Sequence, residues 1–236
     1  MSLLANLTGW LGEVRLARGA RKALDKIVYR TLNDVILHSA SGTTQIDHIV
    51  FSRYGIFVIE TKNIKGWIFG AATDPKWTQS LYRKTFTFQN PLHQNFRHIK
   101  VLEELLGLPV SRFHSVVCFV SKRCTFKTAM PPNVIHGEPA SYIRSRTLEL
   151  LSEAEVGRAF DTVASAMGPR GWLGGSSSHA KREHRASLEA RYASKTACPK
   201  CGAPLVTRTS RKRGAVSEVF YGCQRYPSCR YTRPLS

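Results

Sequence analysis

The sequence predicts an α/β protein in which a sheet is flanked by helices, followed by a small separate C-terminal domain. Helical and strand patterns alternate as far as residue 167, and residues 168–196 are rich in Gly, Ser and basic side chains. Four of the six cysteines lie in the last 39 residues. With 236 residues, 42% of them hydrophobic, the chain can form a packed core. We therefore expect domains at 1–167 and 197–236, joined by a flexible basic linker at 168–196.

The elements of the first domain follow from spacing and caps. Leu4, Leu7 and Leu11 recur at helical intervals and predict a helix over about residues 5–26. Asn90 and Pro91 form a cap and a first helical position, and they predict a helix that ends at residue 107. Apolar runs predict strands at 34–37, 45–51, 56–62, 67–69, 113–120 and 134–136, and a final helix covers about 152–167. In the linker, a short helix is expected over 182–192.

The charge balance favours a polyanionic partner. The chain has 35 Lys and Arg against 16 Asp and Glu, a net charge of +19 and a pI of about 10.1. Residues 181–236 alone hold 13 basic and 3 acidic residues, a net of +10. Nucleic acid and anionic membrane surfaces are the partners that such a chain attracts.

The sequence has no candidate membrane segment. No apolar run reaches the length of about 18 residues that a spanning helix needs, and residues 1–11 lack the basic start of a signal peptide. We expect a cytoplasmic protein without a membrane span.

A predicted hairpin brings two carboxylates together. The strands 45–51 and 56–62 are joined by a four-residue loop ending in Gly55. If Phe51 pairs with Ile56, Asp47 lies opposite Glu60, and Lys62 lies on the same strand face as Glu60. Opposed carboxylates repel unless a cation lies between them. The alternative is a pair of ordinary surface charges, but these charges interrupt two very apolar strands in matching register.

This pattern of charges suits phosphodiester hydrolysis. Asp47 and Glu60 offer the oxygen ligands that Mg²⁺ or Mn²⁺ prefers, and Lys62 would orient a water or stabilise developing charge. His48 is expected on the opposite strand face from Asp47, and we leave His48, His93 and His98 out of the site.

Five segments carry a resemblance to a known family. They are 12–13, 46–50, 55–63, 66–70 and 90–95, which read GE, IDHIV, GIFVIETKN, GWIFG and NPLHQN. Over about residues 8–125 the chain resembles the nuclease-related domain, NERD, of the PD-(D/E)xK nuclease superfamily. The resemblance implies a restriction-endonuclease-like core, a mixed central sheet flanked by helices. The signature proline before the aspartate is absent, since Ile46 stands there.

The same resemblance implies roles for individual residues. Asp47 and Glu60 are the implied metal ligands and Lys62 the catalytic lysine. Glu13 is an additional acidic residue on the first helix, and Gln94 is a positioning residue on the later one. From the residues alone, Glu13 is more often a solvated helix charge and Gln94 a surface side chain, and the resemblance raises both as candidates.

The cysteine spacing at the C-terminus is typical of a metal site. Cys198 and Cys201 are separated by two residues, and Cys223 and Cys229 by five. Four thiolates at these spacings close a tetrahedral zinc site, and a domain this small needs the metal to fold. Outside this cluster, Cys118 is expected to be a buried thiol, and Cys124 has no evident partner.

Residues 197–233 resemble the C-terminal zinc finger of bacterial type I topoisomerases. The segments that carry the likeness read CPKCG, FYGC, YP and CRYT, at 198–202, 220–223, 226–227 and 229–232. This resemblance implies binding to single-stranded DNA and a nucleoid-associated protein. Basic and aromatic side chains in the segment support contact with phosphates and bases. The candidates are Arg208, Arg211, Lys212, Arg213, Phe220, Tyr221, Arg225, Tyr226, Arg230 and Tyr231.

Three functions fit these observations. The first is a metal-dependent DNA nuclease that its zinc finger tethers to DNA. The second is a non-enzymatic DNA-binding protein that keeps the nuclease fold and acts in DNA processing or topology. The third is a membrane-surface protein that uses an amphipathic first helix and the basic tail.

Overall fold

The structure, a computed structural model, describes residues 24–39, 42–169, 175–199, 203–209, 219–227 and 229–235. These residues form two compact units. The first unit comprises the described residues up to Val35 and from Gln45 to Ser177. The second comprises those from Ile36 to Thr44 and from Ser178 onward. The helix expected over 5–26 lies mostly outside the described residues, and its expected last residues, 24–26, are not helical.

A five-stranded sheet and a four-stranded sheet form the framework of the described chain up to residue 177. In chain order the strands are β1 Arg30–Ser39, β2 Gly42–Ser52, β3 Gly55–Lys62, β4 Gly66–Phe69, β5 Lys76–Leu81, β6 Lys84–Gln89, β7 Phe113–Phe119, β8 Cys124–Phe126 and β9 Val134–His136. The larger sheet has the order β1-β2-β3-β7-β9, with β3 parallel to β7 and β7 parallel to β9. The smaller sheet has the order β6-β5-β4-β8. This mixed α/β architecture confirms the predicted fold class.

The β2–β3 hairpin has the register that the sequence predicts. Phe51 pairs with Ile56, and the antiparallel ladder continues to His48 and Ile59. The connection is a two-residue turn, Arg53 and Tyr54, shorter than the predicted four-residue loop because Ser52 pairs with Gly55. Gly55 begins β3 with a φ of 115°, a conformation that other residues rarely adopt. A side chain there would also clash with the His114 ring, which a Cβ would approach to 2.9 Å. The turn therefore sets which residues of the two strands face each other.

Helices cover the larger sheet. Within the described residues of the first unit they are α1 Pro91–Leu106, α2 Ala140–Arg144 and α3 Glu153–Ala166. The start of α1 is as predicted, because the Asn90 side chain accepts a hydrogen bond from the Leu92 N–H and Pro91 is the first helical residue. Gly107 closes the helix with a φ of 64°. Helix α1 packs against β3, β7 and α3.

Apolar side chains fill the space between these layers. Phe57 and Ile59 of β3 pack with Val116 and Cys118 of β7 and with Ile143 of α2. A second cluster joins the two sheets, since Ile68 and Trp77 pack against Val117 and Phe119. Successive residues of β3 and β7 are buried on both faces, as expected for parallel strands covered on each side. This leaves Glu60 as a charged group inside an apolar framework.

The second unit contains a helix and a small sheet. Helix α4, Ser178–Ala193, covers the short helix expected within the linker. Three of its side chains form hydrogen bonds with Thr43, near the start of β2. His184 Nδ1 lies 2.8 Å from the Thr43 hydroxyl, and Ser187 Oγ accepts from the Thr43 N–H at 3.1 Å. Arg191 Nη2 donates to Thr43 O at 2.5 Å. Most of segment 178–196 is therefore helical and packed. Division into domains at 167 and 197 stays a prediction.

The last strands are β10 Leu205–Thr209, β11 Val219–Cys223 and β12 Thr232–Pro234. They form an antiparallel sheet with β11 in the centre. The runs PLVTR at 204–208 and EVFY at 218–221 are strand-like in the sequence and overlap the first two strands, whereas β12 has no sequence signal. Nowhere in the described part of the chain does a helix have the length and apolarity needed to cross a membrane.

Candidate functional site

The predicted carboxylate and lysine of β3 form a buried ion pair. The Glu60 side chain is 3% exposed, and Lys62 Nζ lies 2.5 Å from its Oε1. Strand periodicity places both side chains on the face that α1 covers. From α1, Gln94 Oε1 accepts a second hydrogen bond from Lys62 Nζ at 3.1 Å. The structure therefore brings Glu60, Lys62 and Gln94 together, and their catalytic roles stay predictions.

His98 also belongs to this group, although the sequence analysis leaves it out. Its Nε2 lies 3.4 Å from Glu60 Oε2, and its side chain is 5% exposed. Gln94 and His98 are four residues apart on α1, a spacing that places both on one helix face. That spacing is the sequence signal that would have found His98.

The electrostatics of Glu60 are governed by its two neighbours. Burial by itself would raise the pKa of this carboxyl, but the charges of Lys62 and His98 lower it below its ordinary value. Glu60 is therefore ionised in a nearly water-free position. Its Oε2 is buried and accepts no hydrogen bond among the described residues. Such an oxygen has the chemistry of a ligand for a hard cation.

Asp47, on the neighbouring strand β2, is held by a hydrogen bond from β3. Its Oδ2 accepts a hydrogen bond from the Thr61 N–H at 2.7 Å. The ladder between β2 and β3 is recorded as far as His48 and Ile59, and the Asp47 side chain bonds to the β3 backbone just beyond it. Asp47 is half-buried, so it lies nearer the solvent than Glu60. This bond fixes the Asp47 carboxylate against the β3 backbone, one residue along from Glu60.

Glu13, the further acidic residue of the predicted site, lies outside the described residues. His48 is buried and its Nδ1 bonds to Asn33 Oδ1 at 2.8 Å. Burial lowers the pKa of His48 to about 4, so its ring is neutral at ordinary pH. In the described part of the chain, the one group of three or more His, Cys, Asp or Glu side chains close enough to share an ion is a cysteine cluster.

A buried amide fixes α1 on the sheet. Asn95 is completely buried, and its Nδ2 donates to Val58 O at 2.8 Å, Ser115 Oγ at 2.9 Å and Val116 O at 3.2 Å. These acceptors belong to β3 and β7, the two strands beneath the helix. Asn95 follows Gln94 directly, so the same contacts set the position of Gln94 relative to Lys62. Asn95 is the last residue of the NPLHQN segment, and no role was predicted for it.

Three of the predicted zinc ligands come together. The sulfur atoms of Cys198, Cys223 and Cys229 all lie within 4.8 Å of one another, and those of Cys198 and Cys229 are 3.7 Å apart. A Zn–S bond of about 2.3 Å gives a tetrahedron with edges of about 3.8 Å, so the observed spacing fits zinc. Cys201 lies outside the described residues. The cysteines support a structural zinc ion.

The remaining cysteines behave as buried thiols. Cys118 is completely buried and Cys124 nearly so. Burial raises the pKa of Cys118 well above its ordinary value and that of Cys124 to about 11. Neither thiol therefore has the character of a metal ligand or a nucleophile.

The residues predicted to contact nucleic acid in the C-terminal segment differ in how exposed their side chains are. Arg225, Tyr226 and Arg230 are exposed, while Arg208, Phe220, Tyr221 and Tyr231 are half-buried. The Arg208 guanidinium lies 5.4 Å from the centre of the Tyr226 ring and donates to Cys223 O at 3.3 Å. Arg208 thus links an exposed aromatic to the backbone at a zinc ligand. Arg211, Lys212 and Arg213 lie outside the described residues.

Two families match this chain. Residues 8–120 match the nuclease-related domain, and residues 195–236 match the topoisomerase DNA-binding C4 zinc finger. The first match contains Asp47, Glu60, Lys62 and Gln94, and the second contains all four predicted zinc ligands. The chain belongs to the NERD family. It carries in addition a topoisomerase-type zinc ribbon, so a nuclease-like domain and a DNA-binding module occur in one polypeptide.

The individual relatives of this NERD protein match either most of the chain or the zinc-ribbon segment alone. An uncharacterized protein of Bacillus anthracis is 34% identical over 165 residues, which cover 66% of this chain and 77% of that protein. DNA topoisomerase 1 of Methanocaldococcus jannaschii is 51% identical over 39 residues, 16% of this chain and 4% of the topoisomerase. The uncharacterized protein YrdD of Escherichia coli is 58% identical over 38 residues, 16% of this chain and 18% of YrdD. Similarity to the last two therefore covers a single small module.

Proposed function

We propose that this NERD protein is a divalent-metal-dependent nuclease that acts on DNA and is tethered to it by the zinc ribbon. The observation that carries the proposal is the buried ion pair of Glu60 and Lys62, which Gln94 and His98 contact from α1. Asp47 of the neighbouring strand bonds to the backbone of Thr61, which lies between them in β3. Burying a charged pair costs several kcal/mol per ion in desolvation, and an apolar pair of similar volume is often as stable. Charged groups retained at such a position favour a role in chemistry.

In this proposal Asp47 and Glu60 would hold Mg²⁺ or Mn²⁺. Both are oxygen donors, Glu60 Oε2 accepts no hydrogen bond among the described residues, and Asp47 is anchored through Thr61. When bound, such an ion polarises a phosphate oxygen and lowers the pKa of a coordinated water. Glu13 is a further candidate ligand.

The protein's own groups orient the reaction. Lys62 has three N–H donors, and the bonds to Glu60 Oε1 and Gln94 Oε1 define the position of its ammonium. From that position Lys62 stabilises the charge that develops on a phosphate oxygen during hydrolysis. Gln94 acts through Lys62 as a positioning residue. His98 Nε2 lies 3.4 Å from the second carboxylate oxygen of Glu60, without a hydrogen bond between them.

DNA binding is assigned to the ribbon. Arg225 and Arg230 are exposed and contribute phosphate contacts, and Tyr226 offers a face for base stacking. Single-stranded segments are the proposed ligand, since stacking needs unpaired bases. The nucleoid of a bacterial-type cytoplasm is then the proposed location of the protein.

A cleavage assay with matched variants tests the catalytic assignment. Plasmid, single-stranded and branched DNA are incubated with Mg²⁺, with Mn²⁺ or with no added divalent ion, which leaves the ribbon zinc in place. Asp47→Asn keeps an acceptor for the Thr61 N–H but removes the charge, so cleavage and Mn²⁺ binding should both be lost. Lys62→Met should keep or strengthen Mn²⁺ binding while the cleavage rate falls by about 10²-fold or more.

Asp161→Asn is the control, because Asp161 lies on α3 and pairs on the surface with Arg30. It should cleave as the parent protein does. If Asp47→Asn cleaves equally well in Mn²⁺, the catalytic assignment is wrong. If the parent protein binds DNA and cleaves none of the three substrates, the protein is a DNA-binding member of the family without nuclease activity.

A further inference from the structure

The four-stranded sheet has an outer face that faces away from the core. Its inner face carries Ile68 and Trp77, both completely buried against β7. Side chains alternate along each strand, so the neighbouring positions point outward. Cross-strand pairing aligns Trp67 with Ser80 and Thr125, and Phe69 with Thr78. The residues of this outer face are Trp67, Phe69, Lys76, Thr78, Ser80, Thr85, Thr87 and Thr125.

Trp67 is an unusual residue for such a surface. Its side chain is 53% exposed, although its neighbour Ile68 is completely buried. Lys127, which follows β8, places its Nζ 4.6 Å from the centre of the Trp67 ring. An exposed indole flanked by an ammonium is the combination that stacks a base and pairs with the adjacent phosphate.

The surroundings of the outer face are basic. The four strands β4, β5, β6 and β8 contain no Asp or Glu in their sequences. Lys65, Lys76 and Lys127 are all exposed at this sheet. Between residues 63 and 89 the one acidic residue is Asp74, whose carboxylate accepts the Ala71 N–H at 2.8 Å. The charge of the face is therefore complementary to a polyanion.

Trp67 of the outer face also lies close along the chain to the candidate active site. β4 begins four residues after Lys62, and Trp67 is five residues from it along the chain. Five extended residues span at most about 18 Å, so a strand bound at Trp67 comes within a few nucleotides of Lys62. Both the sheet and the site belong to the first unit.

We propose that the outer face binds single-stranded DNA, with a base stacked on Trp67 and the flanking phosphates paired with Lys127 and Lys76. Single strands are the partner because a paired base keeps its faces inside the duplex. The proposal deepens the proposed function, on which it rests, by adding a substrate-binding surface apart from the ribbon. Because stacking needs no divalent ion, it is tested under conditions where no cleavage occurs.

The test uses the full zinc-loaded chain without added Mg²⁺ or Mn²⁺. Binding to a labelled single-stranded oligonucleotide and to its duplex is measured by fluorescence anisotropy across a salt series. Trp67→Ala should weaken single-strand binding by at least about fivefold and leave duplex binding unchanged. Lys127→Gln should reduce the slope of log affinity against log salt by about 0.7.

A matched control is present on α1. Phe96 is 54% exposed, and Lys100 lies 5.4 Å from its ring, but Lys100 also pairs with Glu103 at 2.5 Å. Phe96→Ala removes a similarly exposed aromatic whose cation is neutralised, so it should bind like the parent protein.

Crosslinking locates the contact. A single-stranded oligonucleotide containing 5-iodouracil should crosslink to the tryptic peptide 66–76, and Trp67→Ala should remove that product. The proposal is overturned if Trp67→Ala binds like the parent protein and crosslinks occur in ribbon peptides alone. It is overturned equally if Trp67→Ala weakens duplex and single-strand binding to the same extent. A parent protein that crosslinks at 66–76 but cleaves no DNA would contradict the nuclease and leave this surface standing.

Discussion

Replacing Asn95 should cost both stability and cleavage. Its amide group has two N–H donors shared among three acceptors, Val58 O, Ser115 Oγ and Val116 O, in a site closed to water. A hydrogen bond contributes about 0.5–1.5 kcal/mol net, and a buried acceptor left unpaired costs about 1–3 kcal/mol. Asn95→Leu, similar in volume, should therefore lower the free energy of unfolding by about 2–4 kcal/mol.

Denaturant titration of the zinc-loaded protein, followed by fluorescence and circular dichroism, measures this change. Asn133→Leu is the control, because Asn133 is half-buried and makes a single hydrogen bond to Ser115 O at 3.1 Å. It should cost about 1 kcal/mol or less. Asn95→Asp separates hydrogen bonding from packing, since its loss of stability should shrink at low pH, where a protonated carboxyl again supplies a donor.

Cleavage provides the second readout. Because Asn95 fixes α1 on β3 and β7, its replacement should displace Gln94 from Lys62 and slow hydrolysis even where the protein remains folded. The reasoning is refuted if Asn95→Leu is no less stable than Asn133→Leu, or if it is unstable but cleaves at the parental rate under conditions where it is fully folded.

Three further predictions concern the zinc ribbon and the core. The purified protein should contain one zinc ion per chain, and chelation should unfold residues 197–236; a ribbon that retains its amide protection in EDTA would contradict this. Arg225→Gln combined with Arg230→Gln should reduce the salt slope of single-strand binding by about 1.4, whereas an unchanged slope would place the phosphate contacts elsewhere. Burial lowers the pKa of His114 below its ordinary value, so the unfolded chain binds the proton more readily than the folded one. Stability should therefore fall as the pH drops through the range in which an ordinary histidine titrates, at about pH 6.5. Denaturation of His114→Phe across this range should show a smaller pH dependence, and an identical one would exclude His114 as its source.

The sequence alone determined the features that depend on neighbours along the chain. The hairpin register followed from the two apolar runs that flank the turn and from Gly55, whose positive φ favours glycine. The start of α1 followed from Asn90 and Pro91, because a cap and a missing N–H are local properties. The grouping of three cysteines followed from their spacing, since metal geometry restricts the separations that can close a site.

Contacts between distant segments were decided by the tertiary structure alone. Asn95 reaches its partners because α1 packs on β3 and β7 in one rotation. The spacing of Gln94 and His98 shows that they share a helix face, but the contact of His98 with Glu60 depends on that packing. Strands β5 and β6 were missed because their side chains are largely polar and their pairing, not their hydrophobicity, defines them. Helix α4 was expected as a short helix within a flexible linker, but its bonds to Thr43 join residues more than 140 positions apart. Local propensities act within a few residues, whereas these contacts depend on how whole layers pack against one another.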